Sequence, residues 1–120
     1  MNLTPFGKML RKMRIEKEMT LRDMADRLGV SMAWLSRAER VGGSNKRLLN
    51  AVIREFGDSK EIINELTHAW ALSAPSIKIE FHNATDLERL VCVRLAEKHE
   101  FLTHEQLKKI LRILNSEDMK

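Results

Sequence analysis

The stretch Leu21 to Arg40, LRDMADRLGVSMAWLSRAER, decides the fold of this chain. An apolar stripe at helical spacing is formed by Leu21, Met24, Ala25 and Leu28. Thr20 precedes this stripe and can cap a helix through its hydroxyl. Gly29 follows it, where the chain must turn and a positive φ would penalise a residue with a Cβ. Ser31 can cap a second helix that buries Leu35 and Ala38, so the stretch predicts two short helices joined by a tight turn.

Two helices joined by about 3–4 residues with Gly in the turn are typical of the DNA-binding helix-turn-helix. In that motif the second helix enters the major groove of the duplex. The outer face of the second predicted helix carries Met32, Ala33, Ser36, Arg37 and Arg40. The pattern therefore favours a DNA-reading surface.

The same stretch resembles the Xre or lambda-repressor-like family of phage and bacterial regulators, and the likeness extends over roughly residues 6–72. The matching positions are Ala25, Gly29, Val30, Ser31, Trp34, Leu35, Ser36, Glu39 and Arg40. The chain departs from the family pattern at Arg22, where Gln is usual, at Ala38, where Ile is usual, and in the loop after Arg40. The resemblance implies a five-helix DNA-binding domain, a sequence-specific transcriptional regulator that acts as a repressor, and a structural role for Glu39 inside the fold.

Four residues of the second helix are expected to reach base edges: Met32, Ala33, Ser36 and Arg37. Arg37 is the strongest of them, because its fork of donors matches the two acceptors of guanine. Met32 and Ala33 offer apolar contact to a thymine methyl group. Contacts to the DNA backbone are expected from Arg22, Ser31, Trp34, Arg40, Asn45, Lys46 and Arg47. For Trp34, packing between helices is the alternative interpretation.

The rest of residues 1–73 predicts three more amphipathic helices. Thr4 and Pro5 are suited to begin the first, with Lys8, Arg11, Lys12 and Arg14 on the sides away from its apolar stripe. For these basic residues a solvated face and a phosphate contact are equally favoured. Asp58 is the expected cap of the fifth helix.

The sequence predicts a boundary at residues 73–76, which divides a DNA-binding domain at 1–73 from a C-terminal region at 74–120. Pro75 stops the fifth helix. In residues 77–81, IKIEF, apolar and charged residues alternate, which predicts a short β-strand. One strand cannot stand alone in water, so its expected partner is the same strand of a second copy. An extended tether is the alternative.

Two capping boxes, Thr85 with Glu88 and Thr103 with Gln106, predict two further helices and hence an αα-hairpin. Such a hairpin is too small to bury its own apolar faces. Homodimerisation is favoured over packing on the first domain or on another protein. The residues assigned to the dimer contact are Ile77, Ile79, Phe81, Leu87, Val91, Leu95, Leu107, Ile110, Leu111 and Leu114.

Charge and composition agree with this division. Of the 120 residues, the first 60 hold 13 Lys and Arg against 7 Asp and Glu, whereas the last 60 hold 8 against 10. A basic half is suited to phosphate and a mildly acidic half to protein. The single Cys92 cannot form an internal disulfide, and no segment is apolar enough for a signal peptide or a membrane span. A cytoplasmic protein without a membrane partner is therefore expected.

No catalytic motif or metal-ligand spacing is present in the sequence. The histidines, at 68, 82, 99 and 104, and Cys92 do not show zinc-site spacing, and there is no Walker loop, GxGxxG or GxSxG. Neither an enzyme nor a cofactor is therefore expected. The expected partners are double-stranded DNA, a second copy of the chain and, as an option, a toxin or antirepressor protein. Two alternatives remain open: an antitoxin that holds a toxin through its tail, and an interaction adaptor that has lost DNA binding.

Overall fold

The computed structural model describes residues 3–42 and 46–116, and in these ranges the chain is all-α, as predicted. The helices are α1 (Pro5–Glu16), α2 (Leu21–Leu28), α3 (Met32–Val41), α4 (Arg47–Phe56), α5 (Lys60–Ser73), α6 (Asp86–Lys98) and α7 (His104–Leu114), with a 3-10 turn (His99–Phe101) after α6. The chain divides into two compact units, Met1–Ile79 and Glu80–Lys120. Helices α1–α5 belong to the first unit.

The predicted helix starts of the first three helices are confirmed. The hydroxyls of Thr4, Thr20 and Ser31 each accept a hydrogen bond from a backbone N–H three residues later. Asp23 completes a capping box, because its carboxylate accepts the Thr20 N–H at 2.9 Å. That bond and the Thr20 hydroxyl hold the pKa of Asp23 below its ordinary value. Gly29 ends α2 with a left-handed φ of 72°, as the turn requires.

The predicted cap of α5 is wrong by one residue. The cap is Ser59, which is extended and whose Oγ accepts the Ile62 N–H at 3.2 Å. Asp58 instead places its carboxylate 3.7 Å from the Lys17 ammonium. Both residue types are good caps, so the sequence alone could not choose between adjacent positions.

One hydrophobic core is shared by α1–α5. Helix α1 packs on α3 and α5, and α4 packs on α2 and α5. The buried apolar residues are Phe6, Leu10, Met13, Met24, Ala25, Leu28, Leu35, Leu48, Leu49, Val52, Phe56, Leu66, Ala69 and Trp70. Because these side chains come from all five helices, the first unit has a core of its own.

The predicted strand at 77–81 is absent: in the described chain, residues 76–81 form neither helix nor strand. The physical reason is that a strand needs a hydrogen-bonding neighbour, and none of the described residues forms a β-ladder. The predicted αα-hairpin is present only as two successive helices. The 3-10 turn lies between the two helices, whose backbones come close at few residues at most.

Two glycines allow backbone strain and close packing to be tested separately. A Cβ on Gly29 would meet no atom within 4 Å, so Gly29→Ala adds only left-handed strain. A Cβ on Gly7 would lie 2.1 Å from the Glu39 carbonyl oxygen, so Gly7→Ala must separate α1 from α3. We expect urea unfolding to show a loss of about 1–2 kcal/mol for Gly29→Ala and of about 3 kcal/mol for Gly7→Ala. Equal losses would contradict the close approach of the two helices.

Candidate nucleic-acid interface

The inner side of α3 is fixed by a buried ion pair. Glu39 is 4% exposed and Arg14, on α1, is 8% exposed. Two parallel hydrogen bonds join them: Arg14 Nη2 donates to Glu39 Oε1 at 3.1 Å, and Nη1 donates to Oε2. Arg14 Nη1 also lies 3.4 Å from the sulfur of Met24 on α2. Arg14 therefore connects the first three helices.

This position of Arg14 corrects the sequence analysis, which placed it among the solvated or phosphate-binding residues of α1. Its guanidinium is satisfied inside the protein, so it does not belong to a DNA-facing surface. The structural role that the resemblance implied for Glu39 agrees with its burial. The sequence contained a weak indication of this pair, because helical spacing places Glu39 on the buried side of α3.

The backbone of α3 is also held close to α1. The Glu39 carbonyl oxygen accepts hydrogen bonds from both the N–H and the hydroxyl of Thr4, each at 2.9 Å. The missing Cβ of Gly7 allows that carbonyl to approach α1. Leu35, fully buried, anchors the middle of α3 in the core. The helix therefore has little freedom to rotate about its own axis.

The four residues expected to contact bases lie within the first six residues of α3. Met32, Ala33 and Arg37 are exposed, and Ser36 is half-buried. Their spacing of one, three and one residues brings them to one side of the helix. That side presents a guanidinium, a hydroxyl and two small or flexible apolar groups, which are the groups that read base edges in a major groove.

The residues expected to contact the DNA backbone surround this side of α3. Arg22 is exposed in the first turn of α2, where the helix dipole favours an anion. Ser31 caps α3, and Trp34 is 45% exposed one turn later. Arg40 is exposed at the end of α3, where its Nε donates to the Ser36 carbonyl at 3.2 Å.

The expected backbone contacts next to α4 differ in how accessible their charges are. Arg47, the first residue of α4, is exposed. Lys46 is exposed too, but its ammonium lies 5.7 Å from the centre of the Trp70 ring, so part of its charge is engaged by that ring. Asn45 falls outside the described residues.

A groove that the sequence analysis missed lies between the helix-turn-helix and α4. Its volume is about 580 Å³, and its apolar floor includes Leu28, Val30 and Leu48. Trp34 also lines it, as do three polar residues of α4, Arg47, Asn50 and Arg54. The spacing of three and four residues along α4 could have indicated that these three polar residues share a face. Arg47 was predicted as a backbone contact, whereas Asn50 and Arg54 extend this polar and basic surface beyond the predicted set.

The residues assigned to a dimer contact remain largely open in the single chain. Phe81 and Ile110 are half-buried, and the other eight are exposed: Ile77, Ile79, Leu87, Val91, Leu95, Leu107, Leu111 and Leu114. No residue between 80 and 116 is buried. Further exposed apolar side chains there are Leu90, Val93, Phe101 and Ile113. The second unit therefore lacks a core of its own within the described chain.

Within residues 3–42 and 46–116 no three His, Cys, Asp or Glu side chains are grouped as metal ligands. None of the helices described there is long and apolar enough to cross a membrane. Cys92 is a free, half-buried thiol on α6.

The Arg14–Glu39 pair can be tested by an isosteric change. Glu39→Gln keeps the side-chain shape but leaves the Arg14 charge buried without a counter-charge. We expect urea unfolding to show a loss of about 3–5 kcal/mol. The control is Arg14→Met with Glu39→Leu, which removes both charges and should recover most of that loss. A neutral effect of Glu39→Gln would contradict the pair's role in fixing α3.

Comparisons with known proteins found no matching family model, no similar curated protein and no similar solved structure. The resemblance of residues 21–40 to the lambda-repressor-like family therefore stays a prediction from the motif residues themselves.

Proposed function

We propose that this protein is a sequence-specific DNA-binding transcriptional regulator of the Xre or lambda-repressor-like type, acting as a cytoplasmic repressor. Helix α3 enters the major groove, and two copies of the chain read a palindromic operator. One observation carries the proposal: the N-terminal half of α3 is exposed on one side while its other side is locked to the core by Leu35 and Glu39. A helix held in this way can present fixed donors to base edges without reorganising.

Specificity arises on α3. Arg37 is exposed and donates two parallel hydrogen bonds to guanine, and Ser36 is placed one residue before it to contact a neighbouring base or phosphate. Met32 and Ala33 contact a thymine methyl group. Only a few bases are read by one copy, so one copy discriminates weakly between sequences.

Affinity arises from the surrounding cations. Arg22 binds a phosphate at the start of α2, while Arg40, Lys46 and Arg47 follow the backbone on the other side of α3. Asn50 and Arg54 continue this surface along the groove next to Trp34. These contacts carry no sequence information, and they make binding depend on salt.

The second unit makes the contact that joins two copies of the chain. Its exposed apolar side chains, among them Leu87, Val91 and Leu111, have no cover in the single chain, and burying them is favourable. A two-fold dimer doubles the DNA contacts and places two α3 helices about 34 Å apart, or a multiple of that distance.

The same apolar exposure favours a second candidate function. An antitoxin would use α6 and α7 to hold a toxin while α3 binds its own operator, so the exposed faces would be covered by a different protein. This candidate predicts co-purification of a small partner protein at one-to-one stoichiometry from the native host. A chain that self-associates without such a partner is the repressor. The third option, an adaptor without DNA binding, would show no salt-dependent affinity for duplex DNA.

The direct test is selection of bound sequences from a random duplex library by the full chain, followed by binding measurements at several salt concentrations. We expect an enriched palindrome with half-sites about one helical turn apart, and an affinity that falls steeply with salt. Recovery of unenriched sequences would contradict specific readout, and no binding at low salt would contradict DNA binding altogether.

The contribution of the two-pronged hydrogen bonding of Arg37 can be tested separately from that of its charge. Arg37→Ala should cost about 1–3 kcal/mol of binding free energy and relax preference at one base pair of each half-site. Arg37→Lys is the matched control, because it keeps the charge and hence the salt dependence but lacks the two-pronged fork. If Arg37→Lys keeps the full preference, or if Arg37→Ala changes affinity equally for all sequences, Arg37 contacts phosphate instead.

The role of the second unit can be tested by shortening the chain to end at Ala74. This end keeps Ser73, whose Oγ accepts the Phe6 N–H at 2.9 Å and donates to the Ala69 carbonyl at 2.7 Å. The shortened chain retains all the buried apolar residues, so we expect cooperative unfolding, sedimentation as a monomer and much weaker operator binding. A shortened chain that still sediments as a dimer would place the contact in the first unit.

A further inference from the structure

We propose that residues 77–81 of two copies pair as an antiparallel two-stranded ladder whose two-fold axis passes through the Ile79 pair. This inference rests on the homodimer proposed above and assigns its register. The partner of residues 77–81 is therefore the same segment of a second copy, and the two segments pair only in the dimer.

The sequence IKIEF is complementary to itself in this register. Ile79 lies opposite the partner's Ile79, and Lys78 lies opposite the partner's Glu80. By symmetry, Glu80 lies opposite the partner's Lys78. Ile77 then faces the partner's Phe81, so one side of the ladder is entirely apolar and the other carries two opposite-charge pairs.

Other registers lack this complementarity. Shifting the antiparallel pair by two residues puts Lys78 opposite Lys78, or Glu80 opposite Glu80, of the two copies. Shifting it by one residue puts apolar side chains on the charged side. A parallel pair in register stacks like charges on each other, and a parallel pair out of register cannot close under two-fold symmetry.

The two isoleucines of this segment are accessible in the single chain. Ile77 is 70% exposed and Ile79 is 54% exposed, and residues 76–81 have no regular secondary structure. Phe81 is half-buried, with the Arg89 guanidinium 5.0 Å from its ring centre. Lys78 and Glu80 each have a partner in the single chain, which the pairing would replace. One such contact joins Glu80 to His82, whose Nε2 lies 2.9 Å from the Glu80 carboxylate. Both side chains are more than half exposed, so this contact is a weak competitor for the partner's Lys78.

The ladder specifies the register, while the helices that follow add buried area. Two strands alone are only marginally stable in water. Helix α6 begins at Asp86, a few residues after the ladder, and exposes Leu87, Val91 and Leu95 at a spacing of four residues along one side. When the two strands pair about Ile79, the dimer contains two copies of α6. The exposed side chains of these two helices can then be buried.

Reversing the charges of Lys78 and Glu80 in the full-length chain tests the pairing of residues 77–81. Lys78→Glu gives two repulsive pairs in the homodimer, and so does Glu80→Lys. We expect each to raise the dimer dissociation constant about tenfold or more, measured by sedimentation velocity over a concentration series without DNA. An equimolar mixture of these two variants should form a tight heterodimer, and the doubly exchanged chain, Lys78→Glu with Glu80→Lys, should return to the original dissociation constant.

Cysteine cross-linking tests the axis independently, in a Cys92→Ala background. Ile79→Cys should form an intermolecular disulfide on mild oxidation, because directly opposed residues of an antiparallel pair lie within disulfide reach. Ile77→Cys is the matched control on the same face: the two copies of residue 77 would lie about 14 Å apart and should not cross-link. A mixture of Ile77→Cys and Phe81→Cys should cross-link only between unlike chains.

The outcomes separate the register from the homodimer itself. If the original chain is monomeric at every concentration, the proposed homodimer fails and this pairing fails with it. If the dimer persists unchanged in both charge variants and Ile79→Cys does not cross-link, the homodimer stands and the register is overturned. If the Ile77→Cys copies cross-link with each other while Ile79→Cys copies do not, the axis lies elsewhere in the segment. Loss in both charge variants, recovery in the exchanged chain and an Ile79 disulfide support the proposal.

Discussion

The ion pair between Arg14 and Glu39 is the interaction on which the geometry of the first unit depends. Two buried charges are stable only together, because either one alone would be desolvated without compensation. Their planar, two-bond geometry fixes direction as well as distance. Since Arg14 also contacts the Met24 sulfur, one side chain sets how α1, α2 and α3 meet. The exposed side of α3 is oriented as a consequence of a contact made on its opposite side.

The two units differ in how much of their own apolar surface they bury. Helices α1–α5 bury fourteen apolar side chains in one core, whereas the described part of the second unit buries none. A segment that exposes apolar groups on this scale gains free energy by meeting another surface. The proposed division of labour follows from this difference: a self-sufficient unit suited to DNA and a second unit whose burial is completed by a partner.

Local features of the fold could be predicted because they depend on neighbouring residues. Hydroxyl caps at Thr4, Thr20 and Ser31 and the left-handed turn at Gly29 each involve a few adjacent positions. Features set by distant residues were missed. Arg14 looked like a surface cation because only its contact with Glu39, twenty-five residues away, explains its burial. The groove beside Trp34 was missed for the same reason, since α4 completes it. Residues 77–81 carry a strand pattern, but a pattern cannot supply the neighbouring strand.

The sequence by itself determined the helix-turn-helix, the all-α class and the amphipathic character of each helix, because periodicity and capping are local properties of the chain. It also indicated which side of α3 would be exposed, the side bearing Met32, Ala33 and Arg37. Only the tertiary structure decided which charges are buried, how tightly Gly7 lets α1 approach α3, and that the described residues from 80 to 116 bury no side chain. These depend on contacts between residues far apart in the chain, whose geometry no local pattern contains.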